Sequence, residues 1–396
     1  MIGMSVRDHV GIAMPLTLIA LVILAALMIA LAVLGQSEPV IAGNQYRGAV
    51  ARALAESAVE RAVWALTASS RVHGGLDPPS IGVAAGPPYD GATPVTLGPG
   101  GFTLKITGVS TSEVKIEAVG WTPSNTSPES AYRKITAGLM RFPNFGLSAP
   151  CAICVKGDLD ATGSATIDSR GDTSCGRKYG AYTVGNTAIL GTASIWSAID
   201  GNDTSNEATD VVVNAPAADF DAFSFGPQHL AVLKQMAKAN GTYIGPGSPP
   251  VGQTSWSGAV TFDAVHPITR NGVVFVDTIT GNAPGPSNPA DYANVGFQGS
   301  PFSMGSFQGW IVVMGNVTAL NATGSIRGLL YVVNALTSTG GADPVNGLVV
   351  VQSLDATQRS QTDLSVSFSC ANANGAGKIP SGWFLVPGSY KEIGGH

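Results

Sequence analysis

"QGWIVVMGNVTALNATGSIRGLLYVVNALTSTGGADPVNGLVVV", residues 308–351, says the same phrase three times: a polar residue, a glycine, then large apolar residues. The phrases are "QGWIVV" (308–313), "RGLLYV" (327–332) and "NGLVVV" (346–351). "NGVVFV" (271–276) precedes them and "SGWFLV" (381–386) follows. The glycines Gly272, Gly309, Gly328 and Gly347 are 37, 19 and 19 residues apart, and the first gap is close to two periods. One strand-like run per short fixed period is the signature of a β-solenoid. Runs apolar at successive positions suit strands buried on both faces. A sandwich of similar strand count is the alternative, but its strands need no constant period.

A second repeat lies upstream. "GDLDATGSATI" (157–167) matches "GNTAILGTASI" (185–195) at an offset of 28, and "GNVTALNATGSI" (315–326) echoes both. Gly and Asn at these corners supply positive φ. Between the families, Leu230, Val232, Leu233 and Met236 in "FGPQHLAVLKQMAKANGTYI" (225–244) space as a short helix, which Asn240-Gly241 ends. His229 in its first turn reads as a surface residue.

Further towards the N-terminus the pattern changes. "FTLKIT" (102–107), "EVKIEAVG" (113–120) and "YRKITAGLM" (132–140) are β-type runs with short connections. Lys115 and Glu117 alternate with Val114, Ile116 and Ala118, so an antiparallel meander is expected. Residues 74–101 are Pro/Gly-rich and read as loop. Before them, Tyr46, Val50, Leu54, Ala58, Val59, Ala62, Val63 and Leu66 share one helical face, with Arg47, Arg52, Glu56, Glu60 and Arg61 on the other. Arg52 and Glu56 are one turn apart.

This amphipathic stalk continues "IAMPLTLIALVILAALMIALAVL" (12–34), which contains one hydroxyl and no charge. Its 23 residues span roughly 35 Å, enough to cross a ~30 Å hydrocarbon layer. A secretory h-region is shorter, and no A-x-A-like cleavage site follows, so the segment stays on the protein. The polar leader "MIGMSVRDHVG" ends in Gly11 directly before the apolar run, with Arg7 its one cation. A single-pass helix with a cytoplasmic N-terminus is expected, anchored in inner-membrane lipid.

Composition narrows the function classes. Net charge is −5, 12% of residues are charged and no Lys/Arg block occurs, which argues against nucleic acid as a partner. Abundant Gly, Ser, Thr and Asn around compact Val/Ile/Leu runs reads as an exported β-rich surface protein.

The four cysteines, Cys151, Cys154, Cys175 and Cys370, all follow the apolar segment, where an oxidising compartment is expected. Structural disulfides are expected, with three pairings open. Cys151-Ala-Ile-Cys154 invites a zinc or redox alternative, but no second CxxC, paired His or βαβ pattern accompanies it. No metal or other cofactor is expected. "DGNDTSNEATD" (200–210) resembles a calcium loop in spacing at Asp200, Asn202 and Asp203, yet it lacks the sixth-position Gly and reads as a solvated turn. A polysaccharide-degrading solenoid would need clustered carboxylates and bases on one face. Asp277 and Arg327 stand alone at the repeat offset, so a non-enzyme is expected and no catalytic residue is assigned.

The leader ending in Gly11, then "IAMPLTLIALVIL", then "NQYRGAVARALAESAVERAVWAL", resembles the N-terminus of PilX-type minor pilins. It is similar also to the large pseudopilin at the tip of type II secretion pseudopili. The resemblance covers about residues 1–70, and "ARALAESAVERAVWAL" is its more specific half; the meander and the Gly-apolar repeats resemble distal parts of PilX-domain proteins more loosely. It implies that a prepilin peptidase cuts between Gly11 and Ile12 and methylates Ile12, and that the helix packs with other pilins or minor pilins in a filament core. The family's major pilins carry Glu at the fifth mature position; here it is Leu16, a departure that fits a tip or initiating subunit.

The expected organisation is therefore a leader (1–11), a transmembrane and amphipathic helix (12–69), a loop and antiparallel sheet (70–145), and a β-solenoid-like domain (146–396) with a helical insertion near 225–240. The expected function is that of a minor pilin-like subunit of a type IV pilus, acting in assembly, priming, surface display or adhesion to a glycan or cell ligand. A membrane-anchored solenoid that binds or degrades polysaccharide, and a scaffold of solenoids stacked end to end, are the alternatives.

Overall fold

The computed structural model describes residues 13–68, 75–110, 112–142, 148–201, 204–220, 223–338, 342–354, 359–379 and 382–394. The chain divides into two compact units, residues 1–139 with 388–396, and residues 140–387.

In the first unit one helix runs from Ala13 to Thr67, with Pro39 inside it. Its second half carries a stripe of small residues: Ala51, Ala55, Ala58, Ala62 and Ala65, with Leu54, Val59 and Leu66, are all buried. This stripe keeps Leu54, Ala58, Val59, Ala62 and Leu66 of the face read in the sequence and adds Ala51, Ala55 and Ala65, while Tyr46 lies exposed. Alanine sets no side chain between helix and sheet, so the two backbones come close. At Gly120 a Cβ would strike the Ala51 carbonyl oxygen and lie 2.6 Å from the Ala55 nitrogen.

The sheet beneath is antiparallel. Gly100–Gly108 pairs with Glu113–Thr122 in the register Leu104↔Ala118 and Ile106↔Ile116. Glu113–Thr122 neighbours Ala131–Arg141. Alternation puts Leu104, Ile106, Val114, Ile116, Ile135 and Ala137 inside. The C-terminal strand Lys391–Gly394 returns to pair antiparallel with Ala131–Arg141. Glu392 there lies 3.5 Å from both Arg52 and Arg133, and the Tyr390 hydroxyl donates to Glu56 (3.1 Å). The expected loop before the sheet also contains the short strand Val95–Leu97, antiparallel to Gly100–Gly108.

In the second unit the strands from Cys151 to Phe368 pair in parallel. An eleven-stranded sheet runs, in spatial order, through Ser194–Trp196, Thr166–Asp168, Leu364–Phe368, Ala342–Val351, Ile326–Val332, Phe307–Val313, Gly272–Val276 and Tyr243–Ile244. The repeat glycines align in it: Gly272↔Gly309, Gly309↔Gly328 and Gly328↔Gly347. Gly272, Gly309 and Gly347 adopt φ of 111°, 139° and 152°, which side chains rarely accept. A Cβ at Gly309, Gly328 or Gly347 would collide with the carbonyl oxygen of the glycine before it.

Two three-stranded parallel sheets accompany it. One orders Ala259–Phe262, Ala293–Gly299 and Gly315–Ala322; the other orders Ser360–Thr362, Leu159–Ala161 and Thr187–Ile189. The 28-residue offset is a pairing distance, as Leu159↔Thr187, Ile153↔Ala181 and Ile167↔Ile195 show. The 37-residue gap differs from expectation. Gly272 pairs with Gly309 directly, so the extra residues form one long connection through Ala293–Gly299, with no skipped strand. "SGWFLV" is a second departure: its strand Trp383–Leu385 lies outside the eleven-stranded sheet. The edge it would have extended is occupied, because Leu364–Phe368 already lies between Ala342–Val351 and Thr166–Asp168.

The helix Pro227–Asn240 forms as expected, with Pro227 in its first turn and Gly241 ending it at φ 71°. His229 is buried, contrary to its reading as a surface residue. It rests between the rings of Phe142 and Phe225, and its Nδ1 accepts from the Gly226 N–H (3.3 Å). His229 lies three and four residues before Val232 and Leu233, on the helix face that they bury.

Candidate interaction surface

The stalk's first half carries the clearest functional signal. Met14–Ala32 is long and apolar enough to cross a membrane, and none of it is buried within the chain. Leu18, Leu21, Ile23, Leu27, Ile29 and Leu31 are more than half exposed on all sides. A helix apolar all round needs an apolar surrounding, either lipid or other helices. Leu16, at the position implied for a pilin glutamate, is 65% exposed, so no charge is added to this surface. Gly11 and Ile12, the implied cleavage and methylation positions, lie outside the described residues. Where the helix meets its sheet the exposed face becomes mixed: Arg52 binds Glu56 (3.0 Å), as its spacing suggested, and Trp64 is 53% exposed.

The cysteines form two pairs in the second unit. Cys151 bonds Cys154 within Cys151–Val155, and Cys175 bonds Cys370 across 195 residues, with Cα atoms 5.9 and 5.8 Å apart. Cys151 and Cys154 are fully buried. Asp172 sits beside the longer bridge and accepts from the Cys370 N–H (2.8 Å). Hydrogen bonding to Ser174, then to backbone N–H groups, holds its carboxyl below the ordinary range.

Asp200 and Asp210, at the two ends of the acidic segment, are tied into the fold. Asn202 and Asp203 lie outside the described residues. Asp200 Oδ2 accepts from the Thr209 hydroxyl (3.2 Å). Asp210, which sequence reasoning passed over, is buried and accepts from the N–H groups of Ser197 (2.6 Å) and Glu207 (2.7 Å). Burial, with Asp200 nearby, raises its pKa despite those donors. Among the described residues no group of three or more His, Cys, Asp or Glu is placed to hold a metal.

Asp277 is not alone, as its repeat offset had suggested. Lys234 from the helix makes an ion pair with it, and the Tyr243 hydroxyl donates to Oδ2 (2.7 Å). Burial, then the hydrogen bond to Asp277, pushes the Tyr243 phenol well above its ordinary pKa. Lys234 is 43 residues from Asp277 in sequence, so no repeat offset could have revealed it. The trio fastens the helix to the sheet.

No family model matches this sequence, and no curated protein matches it. Among solved structures, the chain is similar to the competence-associated pilin ComZ from Thermus thermophilus. The similarity is 12% identity over 88% of this chain and 98% of that one, with a TM-score of 0.25.

Proposed function

We propose that this chain is a non-enzymatic, minor pilin-like subunit of a type IV pilus or related filament, of the PilX kind. One observation carries the reading: a single 55-residue helix exposes an apolar first half and packs an alanine-rich second half on an antiparallel sheet. Lipid holds such a helix before assembly, and neighbouring helices hold it afterwards. Leu16 supports a tip or initiating place, because a carboxylate without a partner amine is costly in an apolar surrounding.

In this proposal the parallel sheets of residues 140–387 are turns of one exported coil that displays its loops, and residues 12–34 cross the inner membrane once. The prepilin peptidase acts at Gly11–Ile12. Mass spectrometry of the N-terminal peptide, from membranes with and without active peptidase, tests it. A mature chain beginning at methylated Ile12 is expected only with the active enzyme. An intact leader in both samples would leave a plain membrane anchor.

A further inference from the structure

One face of the eleven-stranded sheet carries a straight row of polar side chains. Parallel register aligns Trp196, Asp168, Ser367, Asn346, Arg327 and Gln308 across neighbouring strands. The residues just before them, Ile195, Ile167, Val366, Val345, Ile326 and Phe307, are buried, so alternation turns the row outward. At a strand spacing of ~4.8 Å the row spans roughly 24 Å. Two positions earlier stand short hydroxyls, Ser194, Thr166, Ser365, Ser325 and Ser306.

Part of the row is committed within the fold. Arg170 clasps Asp168 through Nε and Nη2 (2.9 Å each) and lies over the Trp196 ring (4.3 Å). Asn346 Oδ1 accepts from Asn372 Nδ2 (2.6 Å), and Asn271 Oδ1 accepts from the Gln308 N–H (2.8 Å). The Asn346 amide nitrogen, the Ser367 hydroxyl, the Gln308 side chain and Arg327 stay open among the described residues. Two further cations stand at the Gln308 end. Arg270, next to Asn271, donates to the Asn240 carbonyl (2.8 Å) at the end of its helix. Lys378 passes beside Gly272, its carbonyl 4.0 Å from the place a Cβ would take there. Both are exposed, and among the described residues neither they nor Arg327 meet a carboxylate. They gather at one end of the row in a chain whose net charge is −5.

We propose that this face binds an extended acidic polysaccharide, laid across the strands with its carboxylates on Arg327, Arg270 and Lys378 and its hydroxyls along Gln308, Asn346 and Ser367. Charge complementarity and the spacing of the row select this occupant. One sugar advances by about one strand spacing, so successive sugars meet successive side chains. A protein partner needs a large apolar anchor, and the row offers only Trp196, on which Arg170 already stacks. Single-stranded nucleic acid needs a series of open aromatic faces for its bases, which the row lacks. The proposal holds whether or not the chain enters a filament.

The test titrates oligogalacturonate of about six sugars, the length of the row, into the full chain in nanodiscs of zwitterionic lipid, followed by calorimetry. Dextran and single-stranded DNA of equal charge are the comparisons. Saturable binding of oligogalacturonate below about 1 mM is expected, weaker at high salt, with dextran inert and DNA about tenfold weaker. Arg327→Gln combined with Lys378→Gln is expected to weaken binding about tenfold, and Gln308→Ala about threefold, with thermal unfolding unchanged. Arg359→Gln removes a cation that pairs with Asp158 and Asp160 away from the row, and is expected to leave affinity as it was. No saturable binding, dextran or DNA binding as tightly, or unchanged affinity in the double variant would overturn the proposal. So would a loss in Arg359→Gln equal to that of the double variant, the sign of diffuse charge attraction.

Discussion

Gly328 occupies the tightest point of the glycine ladder. A Cβ there would collide with the Gly309 carbonyl oxygen and lie 2.8 Å from its carbon. Neither partner is a side chain that could swing aside, since both belong to paired backbone in a buried sheet. Gly328→Ala is therefore expected to destabilise residues 140–387 by roughly 3–5 kcal/mol, read from the denaturant midpoint of that unit. Gly43→Ala is the contrasting case. Nothing lies within 4 Å of that Cβ position, on a helix, so helical propensity alone acts and stability rises by up to about 1 kcal/mol. If both substitutions proved equally mild, the close approach of the ladder would be wrong.

Among the elements, the antiparallel sheet shows how charge is placed across strands. Glu117 lies 2.8 Å from Lys115 on its own strand and 3.2 Å from Lys134 on the next. Lys115, then Lys134, holds the Glu117 carboxyl below its ordinary pKa. The unfolded chain thus takes up the proton first as pH falls. The stabilisation is complete above the ordinary glutamate value of about 4.3 and is lost as pH falls through the depressed folded value. The group is partly exposed, so the gain is under about 1 kcal/mol. Glu117→Gln should remove that part of the acid dependence of the first unit's unfolding midpoint and leave the rest. Identical acid profiles for the variant and the native chain would refute this role. The helix above the sheet was legible as a helix from its spacing. Its contacting face was legible in part: Leu54, Ala58, Val59, Ala62 and Leu66 of the spaced set are buried, while Ala51, Ala55 and Ala65 join them because the close approach of the sheet selects small residues.

For the whole molecule, the bridge between Cys175 and Cys370 closes a loop of 195 residues. In the chain-entropy account that is worth about 5 kcal/mol, against about 2 for the short Cys151–Cys154 loop. Replacing Cys175 and Cys370 with Ala, which adds no polar group, should therefore lower the stability of residues 140–387 more than replacing Cys151 and Cys154 with Ala. Unfolding of the two double variants under non-reducing conditions compares them directly. The apolar helix carries a prediction on the same scale. The full chain should stay with membranes through an alkaline carbonate wash, and a chain beginning at residue 37 should be released. Retention of the shortened chain would place the membrane contact elsewhere.

The sequence by itself determined the two helices, the meander strands and the 19- and 28-residue spacings at which strands repeat, because apolar periodicity and glycine placement act on neighbouring residues. It marked Gly272, Gly309, Gly328 and Gly347 as equivalent, and they pair. Only the tertiary structure decided the order of stacking. Ile167 from the early repeat pairs with Val366 of Leu364–Phe368, and Cys151–Val155 pairs with the far half of Ala342–Val351. It also decided the cysteine pairing, the burial of His229 and the partners of Asp277. His229 and Asp277 depend on which helix face packs on the sheet, and the stacking order has a reason of its own. Every parallel edge offers the same backbone groups, so local sequence leaves several pairings nearly equal, and long-range packing of side chains selects one.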